Sequence, residues 1–350
     1  LKKYLAGKNV SITYEIGSSS NLFNGYSTVK DLPTFMELLY ASFTSVSPDE
    51  ETYKAVADQG IAFLKNKDKD PDFIFSEHVS AARYGNNPMF QTVTAKVVEE
   101  ANYPEMVNII KESTANAAEY TFIFVGNIDI NTFKPLLEQY VASLPAKKVG
   151  KKDEKYLTSI DIVSGQVVDD YKQPMHSPKS QVFTIFSGDN IPYSIENSVK
   201  MSTIGQVLRM IYLETLREEM GGTYSPAAGA SLNPITGQWM VIYNYETNAE
   251  MLGKMEERAN LEFTKLLAEG ASEKDFNKVK EATLKQYEIG VRQNGYWLNN
   301  LMSYQRGFDN ITNHKAAIEG LTLEDLNNFM KTLYNGKNRI QVIMEGVEEK

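Results

Sequence analysis

A chain of 350 residues, 42% apolar and 23% charged, has the length for two domains with cores of their own and the composition of a folded protein, which excludes wholesale disorder. A formal net charge of −9 argues against a nucleic-acid partner, and no apolar run reaches the length of a membrane span. The absence of cysteine excludes disulfides, thiolate zinc sites and cysteine nucleophiles, and it accords with an oxidising envelope compartment.

Twenty Tyr and sixteen Phe against two Trp lead us to expect sheets with aromatic faces. In chain order, Val10 to Ile16 alternates as a strand. Leu32, Phe35, Leu39 and Phe43 then mark one face of a helix. Tyr103, Met106, Ile109 and Ile110 mark a second helix, followed by a strand through Tyr120, Phe122, Ile123 and Phe124 that ends at Gly126. Residues 145–155 are polar and contain Pro145 and Gly150, so a linker is read over 146–163, with Lys147, Lys148, Lys151 and Lys152 as solvated charge. A strand over 181–186 precedes a helix with Ile204, Val207, Leu208, Ile211 and Leu216 on its apolar face. That helix runs into Gly221-Gly222. A further strand spans Trp239 to Tyr245, and Leu252, Met255, Ala259 and Phe263 mark the helix after it. Ser272 with Asp275 forms a cap for a helix whose buried face is Phe276, Val279, Thr283 and Tyr287, ending near Val291.

Residues 102–126 and 322–346 pair without a gap at an offset of 220. Tyr103, Met106, Ile109 and Ile110 fall on Leu323, Leu326, Phe329 and Met330, Lys111 falls on Lys331, and the strand ending at Gly126 falls on Ile340, Val342, Ile343 and Met344 before Gly346. The same offset places Leu32, Phe35, Leu39 and Phe43 on Leu252, Met255, Ala259 and Phe263. Two separate elements at one offset predict a duplicated module. The expected fold class is therefore α+β, with two repeated modules, each a mainly antiparallel sheet packed against helices. The first module covers 1–145, the linker 146–163 and the complete second module 164–350. The first has no counterpart of roughly 164–220, so it reads as truncated at its N-terminus, and the start at Leu1 fits a processed or excised piece.

The chemistry-bearing residues are few. His78, His176 and His314 are far apart, HExxH is absent, and the inverted motif HxxEH is approached only at 74–78, where Ile74 stands in place of the first His. No GxSxG occurs, and Gly221-Gly222 follows a helix, the wrong end for binding a phosphate. The adjacent pairs Glu218-Glu219 and Glu99-Glu100 are solvated helix faces. Trp239, Tyr243 and Tyr245 share one strand face, more in keeping with sheet core than with a groove lining. The stretch Leu216-Arg-Glu-Glu-Met-Gly-Gly-Thr-Tyr224 allows two readings. One is a glycine helix stop with Arg217 complementing the dipole. The other is a five-donor guanidinium and a phenol held at one bend to grip a peptide carbonyl or oxyanion.

With Leu5-Ala-Gly-Lys8, the helix start at Lys30-Asp31-Leu32, the Phe122-to-Asp129 strand end, and Tyr140 with Leu144-Pro145, that stretch resembles the C-terminal half of pitrilysin/insulysin-type zinc peptidases, in particular the bacterial long-chain putative zinc proteases. The resemblance spans nearly the whole chain, and the Arg-to-Tyr stretch is its most specific part. It implies four similar modules, two per half, with the zinc motif in the other half, so no metal or cofactor is expected in this chain. Arg217 and Tyr224 match a pair that contacts substrate and stabilises the transition state. The implied partners are a peptide or unfolded-protein substrate and the N-terminal half of the same protein. The implied compartment is periplasmic or cell-envelope, with the cytoplasm as the alternative, and the fragment alone is expected to be inactive. A second reading makes the chain an inactive peptide-binding or assembly subunit of the same family. If the pair merely capped a helix, Arg217 and Tyr224 would face different surfaces. The expectation is that both point into one concave face beside the sheet.

Overall fold

The computed structural model describes residues 3–17, 20–67, 69–85, 87–148, 162–333 and 337–349. The chain forms two compact units, one from 1–65 with 93–157 and one from 66–92 with 158–350. Most of the expected linker, 149–161, lies outside the described residues.

In the first unit, β1 (Val10–Ile16) and β2 (Asn21–Ser27) form an antiparallel hairpin, with Tyr14 opposite Phe23. Helix α1 (Leu32–Thr44) follows, burying Phe35, Met36, Leu39 and Phe43. The Asp31 carboxylate at its start accepts from the Asn9 amide at 3.0 Å and the Thr28 hydroxyl at 2.8 Å, and these bonds hold its pKa below the usual carboxylate range. Helices α2 (Glu50–Lys67) and α3 (Pro71–Tyr84) come next, and α3 belongs to the second unit. The first unit resumes with α4 (Ala95–Glu99), α5 (Tyr103–Thr114) and α6 (Ile130–Leu136), which widens into a π turn over Leu137–Val141. An aromatic chain knits its core: Tyr14 to Phe23 at 4.4 Å, Phe23 to Phe43 at 4.8 Å and Phe43 to Tyr120 at 5.0 Å.

The second unit is built on five strands: β3 (Gln166–Met175), β4 (Ser180–Gly188), β5 (Ala227–Leu232), β6 (Trp239–Thr247) and β7 (Arg339–Glu348). Their order is β3-β7-β4-β6-β5, with β3 parallel to β7 and every other neighbour antiparallel. Helix α7 (Ile195–Tyr212) joins β4 to β5. Five helices run between β6 and β7: α8 (Ala249–Glu269), α9 (Glu273–Gly290), α10 (Asn294–Gln305), α11 (His314–Gly320) and α12 (Leu323–Met330). The pleat sends Val182 and Phe186 of β4 into the core shared with α7 and α8. Ile185 and Phe183 go to the opposite face, with Ala82, Phe75 and Val79 of α3. The sheet is therefore covered on both faces. The cap read at Ser272 forms, its hydroxyl accepting from the Asp275 amide at 3.0 Å, and Thr322 caps α12 likewise, accepting from the Asp325 amide at 3.1 Å.

The repeat offset extends beyond the two elements that reveal it. Shifted by 220, α1 to α5 fall in order on α8 to α12, and β2 falls on β6. Three details differ from the sequence reading. The strand before α1 is β2 and not β1; Asn24-Gly25 hides its alternation. Residues 66–92 pack with the second unit, because α3 lays its apolar row on that sheet. Residues 120–126 form no paired strand. Their counterpart β7 is held between β3 and β4, and neither neighbour has an equivalent among the described residues of the first unit.

Candidate functional site around Arg217 and Tyr224

Ser194 starts α7 by accepting from the Asn197 amide at 3.1 Å, and Ile204, Val207, Leu208 and Leu216 are wholly buried. Past Tyr212 the helix widens into a π turn over Leu213–Glu219. The Met220 amide donates to the Thr215 carbonyl at 3.1 Å, one residue further back than in an α-helix. Gly221 then reverses the chain at φ +62°. Its amide donates to the Arg217 carbonyl at 3.1 Å, and that of Gly222 to the Leu216 carbonyl at 3.2 Å. These bonds satisfy the last carbonyls of the helix, so the glycine stop is real.

Gly222 does more than stop the helix. A Cβ there would lie 2.3 Å from Sδ of the fully buried Met255 on α8, and its carbonyl accepts from the Thr247 hydroxyl at 2.6 Å. The bend is thereby fixed to α8 and to the end of β6. Tyr224 emerges just beyond it, 85% exposed. The Arg217 guanidinium lies over its ring, 5.3 Å from the centroid, a cation–π contact worth about 0.5–1 kcal/mol at an exposed site. Among the described residues, nothing pairs with the Tyr224 hydroxyl or the Arg217 guanidinium by hydrogen bond or ion pair. Tyr224 lines an open depression of about 400 Å³ with Gly221, Gly222, Thr223, Glu246, Thr247 and Asn248. The Glu246 carboxylate, on its wall, pairs with Lys179 at 3.1 Å. Lys179 also reaches Asp72 at 2.7 Å, and this contact holds the Asp72 carboxyl below its ordinary pKa.

The glycines thus end the helix, and Arg217 and Tyr224 meet on one surface. Two elements of the site carry no sequence signal. The π turn has none in Leu-Glu-Thr-Leu-Arg-Glu-Glu, and the contact of Thr247 with Gly222 depends on strand placement.

Other candidates are spoken for. Glu77 pairs with Lys67. His78 Nδ1 lies 2.6 Å from the Asp169 carboxylate, with its ring stacked on Tyr171 at 3.8 Å. His176 meets Glu349 at 3.3 Å. Among the described residues no group of three or more His, Asp or Glu is placed to hold a metal ion, so the side chains present do not fit zinc. Trp239, Tyr243 and Tyr245 are at most 3% exposed, which makes them core and removes the groove reading.

Residues 112–283, which include Arg217 and Tyr224, match the family model of the Peptidase M16 inactive domain. Over that stretch, just under half of its length, the chain is similar to the M16 inactive domain. The family model describes that domain as inactive, and the curated relatives that match the chain are zinc proteases. The chain is 24% identical over 294 residues to a PQQL-like zinc protease of Arabidopsis thaliana, covering 78% of this chain and 30% of that protein. It is 18% identical over 335 residues to the probable zinc protease PqqL of Escherichia coli K12, covering 95% of this chain and 35% of that protein. It spans about a third of the length of both relatives. The crystal structure of the periplasmic protease PqqL from Escherichia coli superposes with a TM-score of 0.82 at 16% identity, over 99% of this chain and 38% of that one. No helix among the described residues is long and apolar enough to cross a membrane.

Proposed function

We propose that this chain is the non-zinc half of a metallopeptidase, enclosing peptide substrates and contacting them through Arg217 and Tyr224. One observation carries the reading. The Arg217 guanidinium lies 5.3 Å from the ring centroid of Tyr224, Tyr224 lines an open depression, and neither donor is engaged by hydrogen bond or ion pair among the described residues. An exposed phenol and a guanidinium held by a latched bend are suited to oxygen-rich ligands. In this proposal the Tyr224 hydroxyl donates to the substrate carbonyl and, more strongly, to the oxyanion as charge develops on it. Arg217 holds the ring in place and donates to neighbouring peptide oxygens. Zinc belongs to the complete enzyme, with its ligands outside this chain, and the isolated chain is inactive. The periplasm or cell envelope is the proposed compartment, supported by the periplasmic PqqL that shares the fold.

The test is made in the complete protein with a peptide substrate. Tyr224→Phe keeps the ring under Arg217 and removes only the hydroxyl. It is expected to lower kcat by about 10²–10³-fold, as loss of one oxyanion donor does, with KM nearly unchanged. An unchanged kcat removes the assigned role. A complete protein that binds peptides through this face but never cleaves them supports the alternative, an inactive peptide-binding or assembly subunit.

A further inference from the structure

Glu219 is more than the solvated carboxylate that its place beside Glu218 implies. Its Oε2 meets Nη2 of Arg258 on α8 at 2.8 Å, and Nε of Arg258 meets the Glu262 carboxylate, one turn further along α8, at 2.7 Å. The Glu262 side chain is 13% exposed, so this run of charges is screened less than an open surface pair. Two more residues of the same stretch of α8 hold the neighbouring chain. The Tyr212 hydroxyl donates to the Ala259 carbonyl at 2.8 Å, and Met255 lies against Gly222. The segment from Tyr212 to Gly222 is thus tied to α8 at three points. Arg217 stands two residues before the second tie, and Tyr224 two residues after the third.

The middle tie bears on where Arg217 points. The Met220 amide donates to the Thr215 carbonyl, so the π turn holds one residue more than an α turn would. Each helical residue turns the chain by about 100°. Relaxation to the α register would therefore rotate the two sides of the turn against each other by about that angle and part Arg217 from the Tyr224 ring. The repeated module does not itself require charge at this place on its helix. Shifted by 220, Arg258 and Glu262 fall on Leu38 and Ser42 of α1.

We propose that Arg258 is a positioning residue for the site: through Glu219 it holds the π turn in register and keeps the Arg217 guanidinium over the Tyr224 ring, where a peptide oxygen can reach it. The proposal rests on the reading that Arg217 contacts substrate.

Hydrogen exchange over 213–222 and peptide-cleavage kinetics, both in the complete protein, test this. Arg258→Met keeps the stem of the side chain and removes its fork. It is expected to speed exchange of the Met220, Gly221 and Gly222 amides about tenfold and to leave those of β6 unchanged. KM is expected to rise about three- to tenfold with kcat changed less than about twofold, the mark of a lost binding contact. Glu219→Gln, at the more exposed end of the pair, is expected to do the same, and the two together no more than either alone. In an Arg217→Met background, Arg258→Met is expected to leave KM where it stands, because the guanidinium it positions is gone. A general loosening of the fold would raise KM further. Unchanged exchange in both single variants overturns the proposal, as does an additive double variant or a further rise in KM without Arg217. Faster exchange with KM unchanged supports the hold on the turn and overturns instead the substrate contact assigned to Arg217, so the two claims fail separately.

Discussion

Arg217 and Tyr224 meet because the bend between them is held at both ends, and the holding residue is Gly222. The two glycines work differently. Gly221 needs its left-handed backbone, and a side chain there would meet nothing within 4 Å, so Gly221→Ala costs the conformational term of about 1–2 kcal/mol. Gly222 has no such backbone demand; its constraint is Met255, which has no exposure through which to retreat. Gly222→Ala is expected to destabilise the fold by about 1–3 kcal/mol, as overpacking does, and to loosen the Arg217–Tyr224 contact. Shortening Met255 to Val in the same chain should restore part of that stability. Denaturant midpoints of the two single variants and the double variant check this, and additive effects would show that the contact with Met255 is not the constraint.

At the scale of elements, α11 starts at an awkward residue. His314 is its first position, its ring stands edge-on to Tyr287 of α9 at 5.4 Å, and its buried Nδ1 has no hydrogen-bond partner among the described residues. Burial lowers its pKa from 6.5, and the partial positive charge of a helix start opposes a cation in the same sense. The sign follows from proton counting. Below the unfolded value of about 6.5 the unfolded chain binds the proton more readily, so stability falls as pH falls. Above that value His314 is neutral in both states and contributes no slope. Denaturation between pH 8 and pH 5 is expected to show a decline beginning near 6.5, no steeper than about 1.4 kcal/mol per pH unit from this group. His314→Phe should remove that part of the slope, and an identical profile in the variant would remove His314 as its source. Helix ends set by local chemistry were open to this kind of reading in advance. Ser272 and Thr322 announce themselves because a cap needs only a hydroxyl and the amide three residues on. The π turn before Met220 does not, because the amide of Met220 bonds to the Thr215 carbonyl without any side chain that marks the extra residue.

For the whole molecule, the most legible fact is the repeat, since an apolar stripe at a fixed offset survives where individual residues diverge. Ile340 and Tyr120 share a place but not an identity. The least legible was which sheet each element serves. Residues 71–84 carry apolar positions for a helix, but nothing in them shows that α3 covers β3 and β7, nor does the apolar run at 120–126 show that it is unpaired among the described residues. The same asymmetry governs unfolding. Among the described residues the first unit's core cluster has seven buried residues, Phe35 to Leu144, against twenty-nine in the main cluster of the second. Apolar burial contributes roughly 25 cal/mol per Å², so the first unit has much the smaller reserve against conformational entropy. We therefore expect two transitions in denaturant, with the first unit melting at the lower concentration and Phe43→Ala shifting only that step by about 3–5 kcal/mol, or abolishing it. Tryptophan fluorescence separates the steps, because Trp239 and Trp297 both lie in the second unit, while far-ultraviolet circular dichroism follows both. Coincident curves from the two probes, moved together by Phe43→Ala, would mean that the units unfold as one cooperative body despite their unequal cores.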